Sequence, residues 1–214
     1  MLVVGIDEAG RGPVIGPMMM VGVLIDEKDS DRLHEYGVRD SKILCKNRRV
    51  YLSDGINDYI KHHKLIEISS KEIDEHPNLN RLELEKMAEI IDELKPDLAI
   101  IDCPSTNAKA FHNELRDLIK VKTEIKAEHK ADANYPVVSA ASVIAKVARD
   151  RWMEALEKKL DTKIGSGYPA DPYTKEFLKK ILIPGKPIPE YVRKKWSTVT
   201  RIMGESKQKK LGEY

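Results

Sequence analysis

Two cysteines, Cys45 and Cys103, stand in 214 residues. They are too few for a disulfide framework and lack partners at zinc-ligand spacing, so they read as thiols without a chemical task. The sequence has no Pro, Ser or Gln tract. Its longest mostly apolar run, from Tyr135 to Ala145, is too short to span a bilayer. The N-terminus, MLVVGIDEAG, lacks a basic leader region and carries acids where a signal peptide would be apolar. These absences predict a cytoplasmic protein that does not cross a membrane. The six histidines, His34, His62, His63, His76, His112 and His129, show neither HExxH nor Cys/His ligand spacing, and no GxSxG elbow recommends a serine nucleophile. What remains, 41% hydrophobic and 34% charged residues, is the composition of a globular chain. The length suits one large domain, or one domain with an appendage.

The net charge of +2 hides an uneven distribution. Residues 175–214 hold eleven Lys or Arg against four Glu, a balance of +7, which leaves −5 for residues 1–174. The cluster Arg193, Lys194 and Lys195 beside Trp196, followed by Lys207, Lys209 and Lys210, suits contact with phosphate backbones. A solvated helix face with a frayed tail would have the same composition.

Hydrophobic patterning gives the order of elements. Residues 2–7 and 18–25 read as strands separated by a Gly/Pro turn, and 43–62 as a helix leading to a strand at 64–68. Residues 79–95 form a helix stopped by Pro96, followed by the strand DLAIID at 97–102. A helix at 108–119, a strand at 121–127 and a long helix at 136–160 complete the alternation. That long helix begins with small residues, SAASVIA at 139–145, which would let its backbone lie close to a sheet. The stretch GSGYPADP at 165–172 reads as loop, with helical segments at 173–182 and 189–203 beyond it. The order implies an α/β protein with a mixed five-stranded sheet flanked by helices. A division follows into a main domain, 1–164, and a small C-terminal loop and helical segment, 165–214.

The strongest chemical signal lies in the carboxylates. Asp7 and Glu8 close the first strand and Asp102 closes the 97–102 strand; if these strands are parallel neighbours, their acids meet at one sheet edge. Such carboxylates either take up protons or hold a cation, and an all-oxygen donor set points to Mg²⁺ or Mn²⁺. Asp132 either caps the long helix or completes the cluster. Four such acids suit in-line hydrolysis of a phosphodiester with two divalent ions. The glycine loop AGRGPVIG, 9–16, fits neither a P-loop nor a dinucleotide fingerprint. Gly10, Arg11 and Gly12 instead offer backbone that a ligand can approach closely.

Five segments taken together resemble the type 2 ribonucleases H, the RNase HII family, in its single-chain archaeal form: GIDEAGRGPVIGPM at 5–18, RDSK at 39–42, DLAIID at 97–102, KADANYPVVSAASVIAKVARDR at 130–151 and GSGYPADP at 165–172. The resemblance implies an RNase H-like fold and an acidic quartet of Asp7, Glu8, Asp102 and Asp132 that binds two divalent ions. It implies cleavage of the RNA strand of RNA–DNA hybrids and incision 5′ of ribonucleotides embedded in duplex DNA, leaving 3′-hydroxyl and 5′-phosphate ends. It further implies that Gly10, Arg11, Gly12 and Tyr168 read the ribose 2′-hydroxyl and that Lys42 meets a neighbouring phosphate. Arg149, Asp150 and Arg151 match the family as well, but charged residues late in a helix suit structural ion pairs equally. The tail QKKLGEY, 208–214, resembles the peptide with which archaeal replication enzymes dock on a sliding clamp, with one terminal aromatic in place of two. A monomer is expected. The alternatives are an RNase H-like nuclease or resolvase acting on DNA alone, and a nucleic-acid-binding module without catalysis.

Overall fold

The computed structural model describes the backbone of residues 1–38 and 44–211, with side chains as far as residue 205. Five strands form one mixed sheet: β1 (Leu2–Ala9), β2 (Met18–Asp26), β3 (His62–Ile68), β4 (Leu98–Asp102) and β5 (Glu124–Glu128), in the order β3-β2-β1-β4-β5. β1 runs antiparallel to β2 and parallel to β4, and β4 runs parallel to β5. This is the five-stranded α/β architecture that the alternation of apolar runs implies. Between the strands stand α1 (Ser30–Tyr36), α2 (Lys46–Gly55), α3 (Ser70–Glu75), α4 (Leu79–Leu94) and α5 (Ala108–Leu118), followed by α6 (Ala131–Asn134), α7 (Pro136–Leu160), α8 (Pro172–Ile181) and α9 (Ser197–Leu211). No helix among the described residues is long and apolar enough to cross a membrane.

The chain divides into two compact bodies. The first comprises Met1–Ala9, Met19–Glu67 and Asn78–Ala148, and the second Gly10–Met18, Ile68–Pro77 and Arg149–Tyr214. In the first body β1 is central and buried, with Val3, Val4 and Ile6 in the core. The start of α7 lies against β1 at Gly5, where an added Cβ would come within 2.5 Å of the Val137 carbonyl carbon and 2.6 Å of the Val138 nitrogen. Ser139, Ala140, Ala141 and Ser142 are all buried there. The small residues of this helix thus permit its close approach to the sheet. On α4, Leu82, Leu84, Met87, Ile90, Ile91 and Leu94 are buried, each stabilising the fold by roughly 1.5–3 kcal/mol.

The second body takes in more than the segment after residue 164. Val14 and Ile15 join Met153, Leu156, Ile164, Phe177, Leu178, Val192 and Val199 in its core. Ile15 forms an antiparallel bridge with Val192. The amides of Val14 and Ile15 donate to the Gly167 carbonyl at 2.9 and 3.3 Å, and the Arg193 amide donates to the Val14 carbonyl at 2.9 Å. These bonds explain a difference from the sequence reading, which starts the last helix at 189. Residues 190–196 stay irregular because their backbone groups are committed to the 10–16 loop, and α9 begins only at Ser197.

Candidate active site

The parallel pairing of β1 and β4 sets Ile6 opposite Ile101, so Asp7 and Asp102 follow side by side. Asp132 reaches the same place from α6, which is entered through Lys130 at φ 59, a left-handed turn uncommon for a residue with a Cβ. The Ala131 amide donates to Asp102 Oδ1 at 2.9 Å and ties that turn to the end of β4. Asp132 belongs to this short helix and does not cap α7. Carboxylate oxygens of Asp7, Asp102 and Asp132 all lie within 4.8 Å of one another.

Glu8 stands outside this trio. It follows Asp7 on β1, and the two pair in regular register with Val21 and Met20. The Glu8 amide nevertheless donates to Asp7 Oδ1 at 2.7 Å, so the two are locally coupled.

Asp7 is 5% exposed and Asp132 2%. Burial, together with the neighbouring charges of Asp102 and Asp132, pushes the Asp7 carboxyl up to about 7, against the opposing effect of hydrogen bonds from the Ser142 side chain and the Glu8 backbone. The Lys146 ammonium in turn donates to Ser142 Oγ at 3.2 Å. A buried carboxyl held back from ionisation beside two further acids is the environment a hard divalent cation relieves, and the oxygen-only donor set matches Mg²⁺ or Mn²⁺ better than a softer metal.

The second body carries the glycine loop and Tyr168. Gly10 adopts φ +89, and an added Cβ would come within 2.5 Å of the Arg149 side chain and 2.8 Å of the Pro17 carbonyl oxygen. Its lack of a side chain is a requirement of the fold. Gly12 differs: it is exposed, and a Cβ there would meet only Tyr168 Cε1 at 3.7 Å, an ordinary contact. Packing among the described residues therefore does not require glycine at 12. Tyr168 is 43% exposed on a loop held from both ends. Asp171 accepts from the Ser166 amide and hydroxyl, both at 2.7 Å, and from the Tyr173 amide at 2.9 Å. Thr174 Oγ1 accepts from the Gly167 amide at 3.0 Å and donates to the Ile164 carbonyl at 2.9 Å. Lys42 lies outside the described residues, as do the side chains of 208–214.

Two arginines that the sequence reading set aside or misplaced belong to this loop system. Arg149 is 5% exposed. It donates to the Ser166 carbonyl at 2.9 Å and lies over the Tyr168 ring, 5.2 Å from its centroid. Arg193, read as part of a basic surface cluster, has no exposed surface. Its guanidinium donates to the carbonyls of Gly10 at 2.5 Å, Arg11 at 2.8 Å and Gly16 at 3.0 Å. Burial, then repulsion from Arg149, pushes it down to about 9, so it stays charged at neutral pH. The pattern of residue types gave no sign of this, because a buried arginine in a run of cations looks like its exposed neighbours. The available signal was indirect: a seven-residue Gly/Pro loop has carbonyls that need donors from somewhere.

A family model described as Ribonuclease HII matches residues 4–199. The Ribonuclease HII of Methanococcus maripaludis strain C5 is 43% identical over 221 residues, covering 100% of this chain and 92% of that protein. The crystal structure of the ribonuclease H2 from Pyrococcus horikoshii OT3 superimposes with a TM-score of 0.91 at 40% identity, over 97% of this chain and all of that one. The structure of a complex of PCNA with RNase HII from Archaeoglobus fulgidus contains a chain matching with a TM-score of 0.84 at 40% identity, over 92% of this chain and 96% of that one.

Proposed function

Since the chain belongs to the ribonuclease HII family and is a metal-dependent ribonuclease H, we propose that it hydrolyses the RNA strand of RNA–DNA hybrids and incises duplex DNA 5′ of an embedded ribonucleotide, leaving 3′-hydroxyl and 5′-phosphate ends. The observation that carries this reading is the carboxylate trio of Asp7, Asp102 and Asp132. Glu8 completes the quartet as its fourth ligand. Two divalent ions, Mg²⁺ or Mn²⁺, supply when bound an activated water and neutralise charge on the leaving 3′-oxygen. The residues themselves hold the acids at fixed spacing: Ser142 hydrogen-bonds Asp7, and the Ala131 amide orients Asp102.

Sugar recognition falls to Gly10, Arg11, Gly12 and Tyr168. The 2′-hydroxyl is both donor and acceptor and is what distinguishes ribose from deoxyribose. The surface over Gly12 that a Cβ would occupy, beside an exposed phenol, supports a close approach of a sugar there. Lys42 is assigned to a phosphate next to the scissile one, and Lys194 and Lys195, both exposed, to the duplex backbone. The tail 208–214 is assigned to a sliding clamp, a reading supported by the PCNA complex of the A. fulgidus relative. The protein acts in the cytoplasm, as a monomer, on the repair of misincorporated ribonucleotides and in replication.

Substitution separates catalysis from binding. Asp7→Asn, Glu8→Gln, Asp102→Asn and Asp132→Asn are each expected to lower cleavage of an RNA–DNA hybrid by at least a hundredfold while hybrid binding is kept or tightened, because negative charge facing phosphate is lost. Full activity in any one of them removes that acid from the quartet. Full activity in all of them moves the site elsewhere.

A further inference from the structure

The carbonyls of the Gly10–Gly12 segment are all taken up from one direction. Arg193 donates to the carbonyls of Gly10 and Arg11, and the Trp196 indole Nε1 donates to the carbonyl of Gly12 at 3.1 Å. The same guanidinium also reaches the Gly16 carbonyl, so one buried side chain fixes both ends of the turn. The Arg193 guanidinium lies 4.9 Å from the Trp196 ring centroid, and the two donors brace each other.

The geometry of the peptide unit gives this a consequence for the opposite side. No peptide bond among the described residues is cis, and in a planar trans peptide the C=O of one residue points opposite to the N–H of the next. Turning the Gly10 and Arg11 carbonyls toward Arg193 therefore turns the Arg11 and Gly12 amides away from it. The third carbonyl, of Gly12, precedes Pro13, which has no N–H to present. The Gly12 N–H thus stands on the side away from Arg193, at an exposed residue beside the Tyr168 ring.

We infer that Arg193 and Trp196 are positioning residues for sugar discrimination: they hold the Gly10–Gly12 carbonyls so that the Gly12 amide is oriented for the 2′-hydroxyl before substrate arrives. The inference rests on the assignment of this segment to ribose recognition made above. It goes further by assigning the loop's order to two residues that grip it from its carbonyl side. An arginine is suited to the task because its fork presents several N–H donors in a fixed plane, whereas a lysine would offer a point charge on a flexible stem. Arg193 is consequently a specificity residue although it is fully buried.

The test uses the full chain and two variants, Trp196→Phe, which removes one donor and keeps an aromatic ring, and Arg193→Lys. Three quantities are measured for each: ¹⁵N order parameters of the Gly10, Arg11 and Gly12 amides, kcat/KM on a DNA duplex carrying one ribonucleotide, and inhibition of that reaction by the all-DNA duplex. In wild type these amides are expected at the rigid level of about 0.85. In Trp196→Phe they fall, and kcat/KM drops about tenfold, the size of one lost hydrogen bond, while the inhibition constant of the all-DNA duplex stays the same. Arg193→Lys shows a larger drop of the same kind; should it not fold, Trp196→Phe decides alone. Unchanged amide order or unchanged kcat/KM in Trp196→Phe overturns the inference. An all-DNA inhibition constant that weakens in proportion to kcat/KM also overturns it, since that is the mark of a general structural role. A wild-type enzyme that does not cut at the ribonucleotide defeats the underlying assignment, and the inference with it.

Discussion

At Asp7, burial and chemistry conflict most directly. Its carboxyl is 5% exposed, beside two other acids, and is pushed up to about 7. In the absence of metal, folding therefore favours the protonated form. That contribution is fully present below the unfolded value of 3.8 and is lost as pH rises through about 7. In EDTA, urea melts of wild type and Asp7→Asn are expected to diverge across this window, with wild type losing stability relative to the variant by a few kcal/mol between about pH 4 and pH 8. Mg²⁺ at pH 8 restores wild type but not the variant. Parallel pH profiles for the two proteins would remove the strain assigned to Asp7. The two glycines of the loop separate fold from function in the same way. Gly10→Ala is expected to destabilise by about 1–3 kcal/mol through its positive φ and its clash with Arg149. Gly12→Ala should leave the melting midpoint within a few degrees yet lower ribonucleotide cleavage by tenfold or more. Equal effects of the two substitutions on stability would contradict this division.

Among the elements, the contact of α7 with β1 brings Ser142 of the helix to Asp7 of the strand. Gly5→Ala drives a methyl group into the Val137–Val138 backbone, which has no rotamer with which to yield. We expect a loss of roughly 3 kcal/mol in denaturant melts, and a wild-type midpoint would show that the helix can ride outward without cost. The small residues that make this contact, SAASVIA, were legible in the sequence, as were β1, β2, β4 and the placement of Asp7 beside Asp102, because strong apolar runs and parallel alternation fix them. α1 was not legible: it is seven residues long and buries only Leu33, too little periodicity to register. Nor was the late start of α9, which depends on backbone bonds between residue 193 and residues 14–16, far apart in the chain. Arg149 and Arg193 escaped for the same reason. Composition shows a charge, but only tertiary packing shows that it is buried under a loop's carbonyls.

At the scale of the whole molecule, charge divides into an acidic N-terminal part and a basic C-terminal segment, and the proposed function gives the basic segment the duplex backbone. Binding of an RNA–DNA hybrid is expected to weaken steeply between about 50 and 200 mM salt, as counterion release requires, and Lys194→Ala with Lys195→Ala should flatten that slope while sparing discrimination of the sugar. A salt-insensitive affinity would deny the basic segment its part. Removal of residues 208–214 should leave hybrid cleavage intact and abolish capture by an immobilised archaeal sliding clamp; retained capture would relocate that contact.

Metal-dependent cleavage and recognition of a single ribose belong together in the proposed function. The most direct test is cleavage of an end-labelled DNA duplex carrying one internal ribonucleotide, beside the all-DNA duplex, in Mg²⁺, Mn²⁺ or EDTA. The account predicts one cut, on the 5′ side of the ribonucleotide, dependent on the metal and missing from the all-DNA duplex. A cut that persists in EDTA, a cut in both duplexes, or none in either metal with folded protein would contradict it.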